Sequence, residues 1–139
     1  MTQEEKEILL KDLCARLPYG VKYCRDSWNY EWDQEMSVVE VLEDIDKEGY
    51  INYHKVYKAW DIKPYLRPMS SMTEEERRFL LKFGTVGMDE NDKVFDVYPY
   101  GMERTMSVID FLNANHFDYR RLIEKGLALE APEGMYKTE

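Results

Sequence analysis

Apolar side chains recur along this chain in two rhythms. Leu9, Leu10, Leu13, Cys14 and Leu17 fall at helical spacing behind Thr2 and Glu5. Those two residues have the spacing of a capping box, so a first helix is predicted to about Arg16. Pro18 and Gly20 end it. Val21 to Trp28 then reads as a strand rich in β-formers, and Ser37 to Ile45, with Val38, Val39, Val41, Leu42 and Ile45, as a second. Lys47-Glu48-Gly49 is a turn, and Tyr50 to Tyr57 is predicted to return as the third strand of an antiparallel meander.

In the second half, Pro64 and Pro68 make Asp61 to Met72 a predicted surface loop. Thr73 and Glu76 have the spacing of another capping box, opening a helix that Gly84 stops. Gly84 to Asp92 reads as loop and Val94 to Tyr98 as a short strand. Thr105 to Asn115 carries Met106, Val108, Ile109, Phe111 and Leu112 at helical spacing. Asp118 has the character of an N-cap for a last helix, closed by Gly126, and the tail 128–139 is expected to wrap the surface. The order predicts one α+β domain over residues 1–139: an N-terminal helix, a three-stranded antiparallel meander with Val94 to Tyr98 as candidate fourth strand, and three further helices in the second half.

Composition narrows the class. In 139 residues, 44% hydrophobic and 14% aromatic, there is enough apolar material for one core without metal or disulfide staples. The two cysteines, Cys14 and Cys24, lack metal-pair spacing and are expected as reduced, half-buried thiols. No apolar run approaches the roughly 20 residues that cross a bilayer, and the acidic start has no signal-peptide core behind it. A cytoplasmic protein without membrane contact is therefore expected.

Charge changes the picture more. Of 28 acids, nine fall within residues 26–48 beside the single base Lys47, so this stretch carries −8 of the net −9. Such a segment repels phosphate backbones, which makes direct nucleic-acid binding unexpected, and suits a basic protein surface. Overlapping it, Trp28, Tyr30 and Trp32 alternate with polar residues and, in an extended chain, project three rings to one side. Rings beside acids can anchor a protein interface.

Three other constellations hold residues capable of chemistry. Asp44-Ile-Asp46-Lys-Glu48-Gly49 matches the first half of a calcium-binding EF loop, but Lys55 stands where the bidentate glutamate belongs, so no metal site is expected. His116 and Asp118 could serve acid/base chemistry in a small hydrolase or metal-assisted enzyme, yet no nucleophile motif, phosphate loop or His-Glu-x-x-His completes a site. Tyr53, Tyr57 and Trp60 could line a small-molecule cavity.

Three segments resemble a family: Leu10-Lys-Asp-Leu-Cys-Ala-Arg-Leu-Pro-Tyr-Gly-Val21, the run from Lys63 through Pro64, Pro68 and Thr73 to Glu76, and Phe111 through His116, Arg120 and Pro132 to Tyr136. They resemble an uncharacterised family of small proteins from gut anaerobic bacteria and their phages or mobile elements. The resemblance implies a bacterial or phage context and carries no activity onto any residue. The acidic and aromatic segment lies outside the resembling stretches.

The expectation is a non-enzymatic interaction protein, without cofactor, that presents residues 26–60 to a macromolecular partner, a protein. Its binding residues would be Trp28, Tyr30, Glu31, Trp32, Asp33, Glu40 and Asp44. A sharper alternative is an acidic nucleic-acid mimic that blocks a host DNA-binding enzyme. The enzyme alternative, a small hydrolase or metal-assisted enzyme, rests on His116 and Asp118 or on clustered carboxylates.

Overall fold

The computed structural model describes residues 1–29, 34–53 and 56–136. Helix α1 spans Gln3–Arg16, and its start is the capping box read from the sequence: the Thr2 hydroxyl accepts from the Glu5 amide at 3.1 Å and the Thr2 amide donates back to the Glu5 carboxylate at 2.9 Å. Its buried stripe is Leu9, Asp12, Leu13 and Arg16, an i, i+3, i+4, i+7 set with a charged pair inside it. Cys14 lies outside this stripe and is exposed, and Cys24 is half-buried; both are free thiols.

Strand β1 (Lys22–Asn29) pairs antiparallel with β2 (Gln34–Val41), matching Lys22 to Val41 and Asn29 to Gln34. On its other side β1 meets β3 (Lys63–Leu66), with Tyr23 opposite Pro64. β3 in turn pairs parallel with the two-residue β6 (Leu129–Glu130), giving the order β2-β1-β3-β6. β4 (Gly84–Met88) and β5 (Val94–Pro99) form a separate antiparallel pair. Helix α2 spans Glu74–Leu80 and α3 spans Met102–Ala114.

Several expectations are corrected. The segment from Tyr50 is not the third strand of a meander: Asn52 and Tyr53 take φ of 46° and 63°, a left-handed turn no strand accommodates, and the pairing is reduced to the isolated bridges Ile45 to Ile51 and Tyr50 to Lys58. The place expected for it beside β2 holds no strand among the described residues; the sheet grows instead on the other side of β1, through β3, inside the segment expected to be loop. Val94 to Tyr98 is a strand, but it pairs with β4 instead of joining the larger sheet. The described residues contain three α-helices, not four, because Arg121 takes φ of 59° and interrupts the segment after Asp118.

Two apolar clusters result. The first gathers Leu9 and Leu13 of α1 with Val21, Tyr23, Leu42, Ile51, Leu66 and Leu122. The second gathers Met69, Leu80, Val94, Val97, Val108, Leu112 and Phe117. Gly84 makes the close crossing of β4 and β5 possible, since a Cβ there would collide with the Tyr98 carbonyl and come within 2.9 Å of the Pro99 Cα.

Candidate functional site

The β1–β2 hairpin stands at the outer edge of the larger sheet, and its inner face is held by a polar network. The Glu40 carboxylate accepts from Arg25 Nη2 at 2.7 Å and from the Tyr23 hydroxyl at 2.5 Å. Burial pushes the Tyr23 phenol above its ordinary range, and the bond it donates to Glu40 pushes it further. The bond to Glu40 also raises Arg25, whose guanidinium lies 4.9 Å from the centre of the Tyr57 ring.

Asn52 fastens the next segment to the hairpin. Its Nδ2 donates to the Val41 carbonyl at 2.8 Å and to the Tyr23 hydroxyl at 3.0 Å, while its Oδ1 accepts from the Glu43 amide at 2.7 Å and the Asp44 amide at 3.2 Å. Bonding the carbonyl of one residue and the amide two residues later is what a parallel neighbouring strand does, so the carboxamide imitates a peptide unit there. Four apolar side chains of these segments are exposed: Val39 at 48%, Val41 at 41%, Tyr53 at 76% and Val56 at 75%. Asp26, Glu43 and Glu48 are also exposed.

Of the seven expected binding residues, Glu40 is therefore engaged inside the network and Asp44 is half-buried beside Asn52. Trp28 is placed by its backbone in β1, opposite Glu35. Tyr30, Glu31, Trp32 and Asp33 lie outside the described residues. Asn52 and Arg25, which organise the region, were not singled out from sequence. A cross-strand acid and base would have been the signal for Arg25, but only once the hairpin register was known.

The calcium-like segment is a turn. Asp46 Oδ1 accepts from the Glu48 amide at 3.0 Å and the Tyr50 amide at 2.9 Å, so this oxygen closes the turn. Among the described residues no three His, Cys, Asp or Glu side chains are grouped to share a metal ion.

A second polar assembly lies at the seam between α1 and the chain after α3. Asp12 and Arg16, both fully buried, bond at 2.8 and 3.2 Å; Arg120 adds a 2.8 Å bond to Asp12, and Arg16 Nη2 donates to the Phe117 carbonyl at 2.6 Å. His116, at φ of 62°, stacks against Tyr136, whose hydroxyl accepts from the Lys22 amide and donates to the Tyr65 carbonyl, both at 2.7 Å. Burial, and then the positive charges of Arg16, Arg67 and Lys22, push His116 down to about 4. Burial likewise pushes the Tyr136 phenol up to about 12.

His116 and Asp118 are not arranged as an acid/base pair. Both Asp118 oxygens are taken by backbone amides, of Leu122 at 2.8 Å and Ile123 at 2.9 Å, and His116 Nδ1 has no hydrogen-bond partner among the described residues. A catalytic carboxylate would orient the imidazole. Asp118 caps backbone, as expected, although the amides it caps belong to a turn instead of a helix.

The described residues form at least two open clefts. One, of about 500 Å³, lies between Arg67, Thr73 and the chain from Glu130 to Tyr136; Arg67 in its wall is held by Glu76 through two 2.8 Å bonds. The other, of about 580 Å³, lies between Met69, Phe95, Tyr119 and Arg121. Tyr53, Tyr57 and Trp60 line neither. No described helix is long and apolar enough to cross a membrane.

Comparison with models of protein families, with curated proteins and with solved structures returns no match.

Proposed function

We propose that this chain is a non-enzymatic interaction module that presents the acidic face around residues 26–60 to a basic surface on a partner protein. The observation that carries the reading is the exposure of Val39 and Val41 on the edge strand β2, within a stretch that holds nine acids and one base over residues 26–48, with the exposed Tyr53 in the turn that Asn52 ties to Val41. An apolar centre with a charged rim is the anatomy of a protein interface, and the charge accelerates encounter with an oppositely charged partner. The sheet supplies the rigid support, and Arg25, Glu40 and Asn52 hold the surface in shape from beneath. Scattered exposed valines are ordinary on a surface; Val39 and Val41 are alternate residues on one face of the edge strand, and the turn that carries Tyr53 is bonded to the Val41 carbonyl through Asn52.

The test is reversal of Asp26, Glu43 and Glu48 to lysine, followed by recovery of bound proteins from the native cell at low and high salt. The reading predicts a specific basic protein retained by the wild type, released by salt and lost in the variant while circular dichroism is unchanged. Equal recovery with both proteins contradicts it.

A further inference from the structure

We infer that the outer edge of β2 receives an extended, basic segment of the partner protein as a fifth strand of the larger sheet. This rests on the docking reading above and specifies its mode. The argument starts from register. The Leu42 amide donates to the Val21 carbonyl at 2.8 Å, and these residues are opposite each other one step beyond the Lys22 to Val41 pair. In an antiparallel ladder bonded and non-bonded pairs alternate, so Glu40, Val38 and Met36 direct their peptide groups to β1. Val41, Val39 and Ser37 direct theirs to the other side, where no strand lies among the described residues.

That edge already accepts a strand-like partner at one end. The Asn52 carboxamide takes the Val41 carbonyl and the Glu43 amide in the pattern of a neighbouring peptide unit, and Ser37 and Val39 continue the edge beyond it. Edge strands that must stay unpaired are guarded by charged side chains, proline or a bulge. β2 reads Gln-Glu-Met-Ser-Val-Val-Glu-Val, with no Lys, Arg or Pro and no register shift against β1; of its two acids, Glu40 is neutralised by Arg25.

The charge selects the occupant. Asp26 is exposed opposite Ser37, and Glu43 is exposed just past the end of β2. The span from Ser37 to Glu43 is about 20 Å in extended chain. A segment with apolar side chains over Val39 and Val41 and Lys or Arg near its ends therefore meets both an apolar centre and acids. A second copy of this chain would bring the same acidic stretch to the edge and is disfavoured by like-charge repulsion. Strand addition supplies affinity through main-chain hydrogen bonds and selectivity through alternate side chains.

The probe is a labelled synthetic peptide of about nine residues, alternating valine and threonine between paired terminal lysines, read by fluorescence anisotropy. Its controls are the same peptide with terminal glutamates and the same peptide N-methylated at alternate amides in either register. The protein variants are Val39→Pro, which removes an outward N–H without touching the ladder to β1, and Asp26→Lys with Glu43→Lys, each checked by circular dichroism. Binding of the lysine peptide, weakened at least about tenfold by Val39→Pro, by N-methylation in one register and by the charge reversals, supports the inference. Sensitivity to charge reversal alone, with N-methylation and Val39→Pro silent, overturns strand addition and leaves the docking reading standing. Absence of binding, equal binding of the glutamate peptide, or a wild-type dimer in sedimentation that Val39→Pro dissociates also overturns it. In those cases the partner recovery described above decides the docking reading separately.

Discussion

The ring of Tyr136 lies over the imidazole of His116, with centres 3.7 Å apart and planes inclined by 20°. Near the end of the described chain, this contact ties the C-terminal segment to the seam where α1, β1 and the turn after α3 converge. Tyr136→Phe removes two hydrogen bonds while keeping the stack and is expected to cost about 1–2 kcal/mol in urea unfolding. Tyr136→Ala removes the ring as well and is expected to cost about 3–5 kcal/mol. Equal losses for the two would show that the ring contributes nothing.

The burial of His116, among the positive charges of Arg16, Arg67 and Lys22, makes stability depend on pH. His116 is held near 4 in the folded chain against an ordinary value of 6.5, so between these values the unfolded chain binds the proton and the folded chain does not. Stability attributable to this group is complete above pH 6.5 and is lost as pH falls from there through about 4, by roughly 3 kcal/mol. His116→Asn tolerates the positive φ and has no such proton. Between pH 7 and pH 4 the wild type should therefore lose stability relative to His116→Asn, read from denaturant midpoints; a constant difference contradicts the assignment.

Asp12 carries two guanidinium groups, of Arg16 and Arg120, from a fully buried position. Asp12→Ala leaves the Arg16 charge buried without a carboxylate and is expected to cost about 3–5 kcal/mol. Arg120 is part-exposed, and Arg120→Ala should cost only about 1 kcal/mol. Urea titrations of the two variants check the ordering.

Gly84→Ala tests the crossing of β4 and β5. The added methyl meets backbone on β5, which cannot rotate away as a side chain could, and a loss of about 3 kcal/mol is expected. A neutral result would mean that the two strands separate at no cost.

Legibility in the sequence tracks the range of each interaction. Thr2 with Glu5 and Thr73 with Glu76 are local devices, and both capping boxes form as read. The α1 stripe was half legible: Leu9 and Leu13 were read, whereas Asp12 and Arg16, spaced on the same face, are buried because Arg120 and the Phe117 carbonyl reach them from more than a hundred residues away. β3 was hidden by Pro64, which a strand pairing with β1 over only two residues tolerates. β4 was hidden by its glycines, whose purpose is visible only against Tyr98. The segment after Gly49 had the right residues for a strand but places Asn52 in a turn, where its side chain serves the hairpin. Within the candidate site, β2 was legible as a strand but displaced toward the C-terminus, Ser37 to Ile45 against the observed Gln34–Val41. That Glu40 faces Arg25 was not legible, since cross-strand pairing depends on register.

The most direct measurement is site-specific photo-crosslinking in the native cell, with the reactive residue placed at Val39 in one protein and at Met106, 71% exposed on α3, in another. The docking account predicts a discrete adduct with a basic protein from position 39, lost when Asp26 and Glu43 are reversed to lysine, and none from position 106. A discrete adduct from position 106 with none from position 39 would contradict it.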